Sequence, residues 1–70
     1  MSEIRAPITG TVWKIHVAVG DAVAVDQEVA VLESMKLEIP VEAEAGGTVT
    51  RIAVAVGDSV VEDDVLLELE

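Results

Sequence analysis

One lysine between two similar stretches is the residue in this sequence best suited to carry chemistry. Lys36 lies in the segment 33–38 (ESMKLE), and the chain has only one other lysine, Lys14. An exposed turn lysine keeps its ammonium in water and is a poor nucleophile unaided, which argues against a Schiff-base lysine. Exposure does suit a lysine that another enzyme acylates, and Met35 beside it is a flexible apolar side chain of the kind used in recognition. The alternative interpretation is a charged turn that only keeps the surface soluble.

The stretches on either side of this lysine are an internal repeat. Residues 10–33 align without a gap with residues 47–70, and 13 of the 24 aligned pairs are identical. We therefore divide the single domain, residues 1–70, into repeat halves at about 6–33 and 43–70. Each half is too small to bury its own apolar face, so the two must pack against each other. Residues 34–36 then join the halves as a tight hairpin.

Each half contains the pattern V-G-D-x-V, which predicts a structural corner. Gly20 and Gly57 can adopt positive φ, and Asp21 and Asp58 can accept hydrogen bonds from nearby backbone amides. A Gly-Asp pair also occurs in calcium and phosphate loops, but no series of ligands accompanies it here. We therefore predict turns and no metal site.

The elements that must position Lys36 are predicted to be strands throughout. The chain is dense in β-branched residues, is interrupted by glycine at short intervals and has no sustained helical periodicity. Two twisted antiparallel sheets of four strands each, related by a pseudo-two-fold axis, would bury both halves in an all-β sandwich or flattened barrel. The predicted strands are 3–6, 11–17, a very short one after Asp21, 29–34, 37–43, 48–54, 59–61 and 65–69.

Three details of these strands can be checked against the structure. The apolar residues of the second strand do not alternate cleanly, which predicts a β-bulge, and we place it at Gly10. In the strand 37–43, the odd-numbered positions are apolar and should face the core. Pro40 falls on the polar side of that strand and predicts an edge position.

Two aromatic side chains break the repeat. Trp13 has Thr50 as its counterpart and His16 has Ala53. Trp13 is either a partner contact or a ring that lies partly over the sheet, and His16 is most simply a solvent-facing strand residue.

Composition and charge exclude several classes of function. The absence of cysteine excludes disulfides and thiolate metal sites, and one histidine leaves little for a zinc centre or a catalytic triad. A formal net charge of −10 with four basic residues argues against binding to nucleic acid or to an anionic membrane. That charge keeps a small protein dispersed and can steer it toward basic surfaces of partner enzymes. We predict a cytoplasmic protein, because the polar start resembles no signal peptide and no apolar run could span a bilayer.

The segment around Lys36 resembles the acceptor motif of biotinyl/lipoyl attachment domains, in which a small residue precedes Met-Lys-Met. The resemblance extends over residues 6–69, through the opening APITGTV, both V-G-D-x-V corners and the closing residues. It implies a flattened barrel of eight strands with biotin joined by an amide to Lys36. Met35 matches the first methionine of the motif, and Leu37 replaces the second. Glu33 matches an acidic position associated with the choice of ligase, or is a solvated strand end.

The resemblance also implies a function, closest to that of a stand-alone biotin carboxyl carrier. Such a domain does no catalysis and has no catalytic residues. A biotin protein ligase attaches biotin, a biotin carboxylase carboxylates it, and a carboxyltransferase receives the carboxyl group. The gap-free alignment of 13–19 with its counterpart leaves no room for the protruding thumb of acetyl-CoA carboxylase carriers. We expect a thumbless carrier that is monomeric in isolation.

Two alternatives remain open from the sequence. A lipoyl carrier, for a 2-oxoacid dehydrogenase or the glycine cleavage system, has the same architecture. Lipoyl domains usually place an acidic residue before the lysine and a small one after it, so Met35 and Leu37 favour biotin over lipoate. An unmodified barrel-sandwich interaction module, as in membrane-fusion proteins, normally has a long hairpin at the repeat junction, where this chain has a tight turn.

Overall fold

The computed structural model describes residues 2–70 and consists of strands joined by turns. They form two four-stranded antiparallel sheets, ordered β1-β8-β6-β3 and β5-β4-β2-β7, in a particle of 31 × 19 × 18 Å. No helix in the described part of the chain is long and apolar enough to cross a membrane. The strands are β1 (Ser2–Arg5), β2 (Gly10–Ile15), β3 (Ala22–Val23), β4 (Glu28–Ser34), β5 (Leu37–Glu42), β6 (Gly47–Ile52), β7 (Ser59–Val60) and β8 (Val65–Leu69). The prediction of an all-β fold with two four-stranded sheets is confirmed.

The internal repeat is visible in the pairing of the strands. β2 pairs with β4 and β7, and the corresponding strand of the second half, β6, pairs with β8 and β3. β5 is the edge strand beside β4 in one sheet, and β1 is the edge strand beside β8 in the other. Each sheet therefore contains strands from both halves, so neither half can form its sheet alone.

The core lies between the two sheets and consists of aliphatic side chains. Val12 and its counterpart Val49 are both almost fully buried, as are Leu32 and its counterpart Leu69. No polar side chain of the described residues is buried. The largest fully buried side chains are Leu32, Leu66, Leu67, Leu69, Val12, Val29 and Val49.

The predicted corners form where the chain crosses from one sheet to the other. Gly20 and Gly57 both have φ of +97°. The carboxylate of Asp21 accepts a hydrogen bond from the backbone N–H of Ala18, and that of Asp58 accepts one from Ala55, each at 2.9 Å. These side chains satisfy turn amides that no strand partner reaches.

The bulge in β2 exists, but its predicted location at Gly10 is wrong. The register between β2 and β4 shifts between Val12 and Lys14, which places the extra residue at Trp13. Val12 therefore points into the core while the indole of Trp13 turns outward, 40% exposed. Gly10 has a different reason to be glycine, because a Cβ there would lie 2.6 Å from the carbonyl oxygen of Glu33.

Strand β5 follows the predicted pattern except at its first residue. Pro40 lies on an edge strand, as predicted, since β5 is the outermost strand of its sheet. Ile39 and Val41 face the core, but Leu37 is 64% exposed. Leu37 directly follows the turn and is not among the side chains packed against the core.

Candidate functional site

Lys36 occupies a two-residue turn between β4 and β5. Ser34 and Leu37 are paired across the strands, so Met35 and Lys36 alone connect them. The φ angles of these two residues are +52° and +68°. Two central residues with positive φ are characteristic of the type I′ turn, whose twist matches that of the flanking strands. The turn is therefore short and rigidly held by the strand pairing on both sides.

The turn places strained residues where the lysine is. Among the described residues, the other positive φ angles belong to Gly20, Gly57, Asp26 and Asp63, types that tolerate this conformation well. Met35 and Lys36 have side chains that disfavour it. Backbone strain of this kind tends to concentrate at functional sites.

Both side chains of the turn are exposed. Met35 is 93% exposed, the largest value among the large apolar side chains of residues 2–70. Lys36 forms no ion pair with any residue of the described part of the chain. The other candidate residues, Glu33 and Leu37, lie on the flanking strands and are exposed as well. The structure thus brings all four predicted residues together on one hairpin.

One acidic residue of the site was not predicted. Glu38 lies directly opposite Glu33 across β4 and β5, so two carboxylates face each other beside the turn. Like charges in such positions repel and destabilise the strand pair. Neither has a basic partner among residues 2–70. The arithmetic of a two-residue hairpin, which pairs 34 with 37 and hence 33 with 38, could have identified this pair.

The lysine turn lies away from the paired ends of β1 and β8. β2 starts at Gly10, beside the turn. The segment after β2 leads away from the turn to β6, where the N–H of Gly20 donates a hydrogen bond to the carbonyl oxygen of Val49. β6 starts against the carbonyl of Glu70, next to the paired ends of β1 and β8. The turn is consequently separated from those ends by the length of the sandwich.

Known proteins resemble the chain along nearly its whole length. A family model described as "Biotin-requiring enzyme" matches residues 2–69. The "Biotin/lipoyl attachment protein" of Bacillus subtilis is 52% identical over 66 residues, which are 94% of this chain and 90% of that protein. The 1.3S subunit of methylmalonyl-CoA carboxyltransferase from Propionibacterium freudenreichii is 58% identical over 36 residues, 51% of this chain and 29% of the subunit.

Solved structures extend the likeness to the fold. The urea carboxylase of Kluyveromyces lactis matches with a TM-score of 0.91 and 33% identity, over 99% of this chain and 6% of that one. The lipoyl domain of the 2-oxoglutarate dehydrogenase complex of Azotobacter vinelandii matches with a TM-score of 0.80 and 32% identity, over 100% of this chain and 96% of that one. With the exposed lysine in the turn that joins its two halves, the chain belongs to the biotin/lipoyl attachment family.

Proposed function

We propose that this protein is a biotin carboxyl carrier, with biotin joined by an amide to Nζ of Lys36. The observation that carries the proposal is the position of that lysine, exposed at the centre of a two-residue turn in a domain of this family. Biotin would supply a ureido nitrogen that takes up and releases a carboxyl group. The protein itself is proposed to have no catalytic residue.

The geometry supports attachment by another enzyme. Because paired strands fix both sides of the turn, the backbone of Lys36 is presented in one orientation, and a ligase has no loop to order. Without an ion pair to any of residues 2–70, the amine has no carboxylate to leave before it reacts. Met35, almost fully exposed beside it, offers the ligase an apolar contact.

A rigid lysine turn also suits transfer between two enzymes. A tethered group acts at a high effective concentration wherever its carrier docks, and no release into solution is needed. We propose a biotin protein ligase, a biotin carboxylase and a carboxyltransferase as successive partners, and the cytoplasm as their location. The net charge of −10 would speed encounters with basic surfaces on these enzymes.

The choice of biotin over lipoate has two supports. Relatives of the chain include a putative urea carboxylase of Emericella nidulans, 52% identical over 42 residues, and the carboxyltransferase subunit described above. The match covers only 3% of that carboxylase, so the substrate of the carboxylase is not proposed for this chain. The apolar residues Met35 and Leu37 beside the lysine are the second support.

A lipoyl carrier is the second candidate. It is favoured by the full-length structural likeness to the lipoyl domain and by the name of the Bacillus relative, which includes both cofactors. An unmodified interaction module is less well supported, because the β4–β5 connection has only two residues.

Intact mass after co-expression with a biotin protein ligase tests the proposal. We expect the mass to rise by one biotinyl group in the wild-type protein and in Lys14→Arg, and to stay unchanged in Lys36→Arg. Lys14→Arg is the matched control because it makes the same change at the only other lysine. A gain of mass that survives Lys36→Arg would contradict the assignment of the site, and a lipoyl adduct on the endogenous protein would favour the second candidate.

A further inference from the structure

The outer face of the lysine-bearing sheet contains a groove of about 330 Å³. Its floor is Val31, which is only 7% exposed although it does not belong to the core between the sheets. Val31 pairs with Lys14 on one side and with Pro40 on the other, and Trp13 stands beside them. This part of the surface is therefore apolar at its base, which is unusual for the solvent side of a sheet.

The groove is not a property of the fold, because the second half of the repeat lacks its side chains. The counterpart of Val31 is Glu68, and that of Trp13 is Thr50. Glu68 forms an ion pair with Arg51, and the hydroxyl of Thr50 donates a hydrogen bond to the carbonyl oxygen of Glu68. Equivalent backbone thus carries a paired, polar surface on one sheet, and on the sheet that ends in the lysine turn it carries a groove with an apolar floor and charged walls.

We propose that this groove holds the biotinyl group of the protein's own Lys36 between encounters with partner enzymes. The inference rests on the proposed function, since it requires biotin on that lysine. Glu38 and Pro40, which line the groove, lie on β5, two and four residues beyond Lys36. Four residues of a strand span about 13 Å. A lysine side chain and the valeryl chain of biotin together comprise about eleven bonds and extend about 14 Å. The ring of the cofactor can therefore reach the groove within one molecule.

The side chains of the groove suit the two parts of biotin. The thiophane ring is apolar and matches the surface formed by Trp13, Val31 and Pro40. The ureido N–H groups are donors, and the carboxylate of Glu38 has no basic partner among residues 2–70. The ureido oxygen is an acceptor, and the ammonium of Lys14, 4.5 Å from the centre of the Trp13 ring, is a donor on the groove wall.

The remaining polar side chains of the groove are partners of each other. Nε2 of His16 lies 2.8 Å from a carboxylate oxygen of Glu28, so these two groups already have a polar contact on this wall. Glu38 on one side and Lys14 on the other are then the groups left to bind a neutral polar ring.

The groove needs only a weak affinity for the tethered biotinyl group, and a carrier also requires that this affinity be weak. A short flexible tether gives an effective concentration in the millimolar range, so a groove with a dissociation constant of about 1 mM would be half occupied. The open shape of the groove is compatible with such an affinity. A partner enzyme then has little binding energy to overcome when it withdraws the cofactor.

Fluorescence of Trp13 tests this inference directly, because it is the only tryptophan. Acrylamide quenching is measured for the full chain before and after biotinylation, with complete modification verified by intact mass. At half occupancy the quenching constant should fall by up to about one half. Glu38→Ala should restore most of the lost quenching, whereas Glu44→Ala, which removes an exposed carboxylate outside the groove, should not.

The internal repeat supplies a matched control. In the double variant Trp13→Thr/Thr50→Trp the reporter moves to the equivalent position on the other sheet, and its quenching should not respond to biotinylation. A response of equal size there would overturn the inference, as it would reveal a general effect of acylation. Equal quenching of the wild-type protein before and after a full gain of mass would also overturn it, leaving the groove as a surface for a partner protein. Absence of any gain of mass would contradict the proposed function itself.

Discussion

Replacing the lysine turn by residues that favour positive φ should stabilise the protein. Met35 and Lys36 have φ of +52° and +68°, a conformation that costs an ordinary residue about 1–2 kcal/mol. The pair Asn-Gly is the preferred sequence of a type I′ turn. Glycine removes the strain at position 36 but adds about 0.5–1 kcal/mol of conformational entropy to the unfolded chain. We therefore expect Met35→Asn/Lys36→Gly to raise the free energy of unfolding by about 1–2 kcal/mol.

Urea denaturation and thermal melting measure this change. For a domain of this size the melting temperature should rise by about 4–8 °C per kcal/mol. The matched control is Met35→Ala/Lys36→Ala, which removes the same long side chains but keeps two β-carbons at positive φ. A midpoint for the Asn-Gly variant no higher than for the Ala-Ala variant would refute the view that the site is strained. Confirmation would mean that the presentation of Lys36 is maintained at the expense of stability.

The two corners and the residue after the lysine give further predictions. Gly20→Ala and Gly57→Ala should each lower the free energy of unfolding by about 1 kcal/mol. The cause is the positive φ alone, because a new Cβ would have no neighbour within 4 Å at either position. Urea denaturation that shows both variants to be as stable as the wild type would contradict this conformational requirement for glycine. Leu37→Met should change stability by less than about 0.5 kcal/mol, since Leu37 is mostly exposed, and should alter the biotinylation rate only modestly. A switch from biotin to lipoate in that variant, detected by mass, would show that this position selects the cofactor.

The repeat made most of the fold predictable from the sequence. Once residues 10–33 were aligned with 47–70, six of the strands, both corners and the hairpin at 34–36 followed from the need of each half to bury its apolar face against the other, and the alternation of residues 37–43 indicated β5. The strand ends agree with the predictions or differ from them by at most two residues. The second strand stops at Ile15, although His16 still donates one hydrogen bond to Val29 of β4, and the chain has reached the other sheet by Gly20.

What the sequence could not locate depended on the exact register of strand pairs. The bulge lies at Trp13 because that placement turns the indole outward while Val12 and the residues after the bulge keep their contact with the core. Pattern alone allowed either site. The exposure of Leu37, the first residue after the turn, is a departure from the alternation of β5 that the sequence did not indicate. The alignment of the repeat did contain an indication of the groove, because the apolar Val31 is aligned with the charged Glu68. Only the three-dimensional arrangement showed what this difference means.

The pairing of β1 with β8 has a consequence for the way this fold is used in larger proteins. Ser2 lies opposite Leu69, so the two ends of the described chain are neighbours at one end of the sandwich, while the turn that contains Lys36 lies away from them. A domain of this kind can be inserted into a long polypeptide like a cassette, because both connections are made at one place. The turn that contains Lys36 then remains accessible. The urea carboxylase that shares this fold, of which the matched region is 6%, illustrates how small a part of a giant chain such a cassette can be.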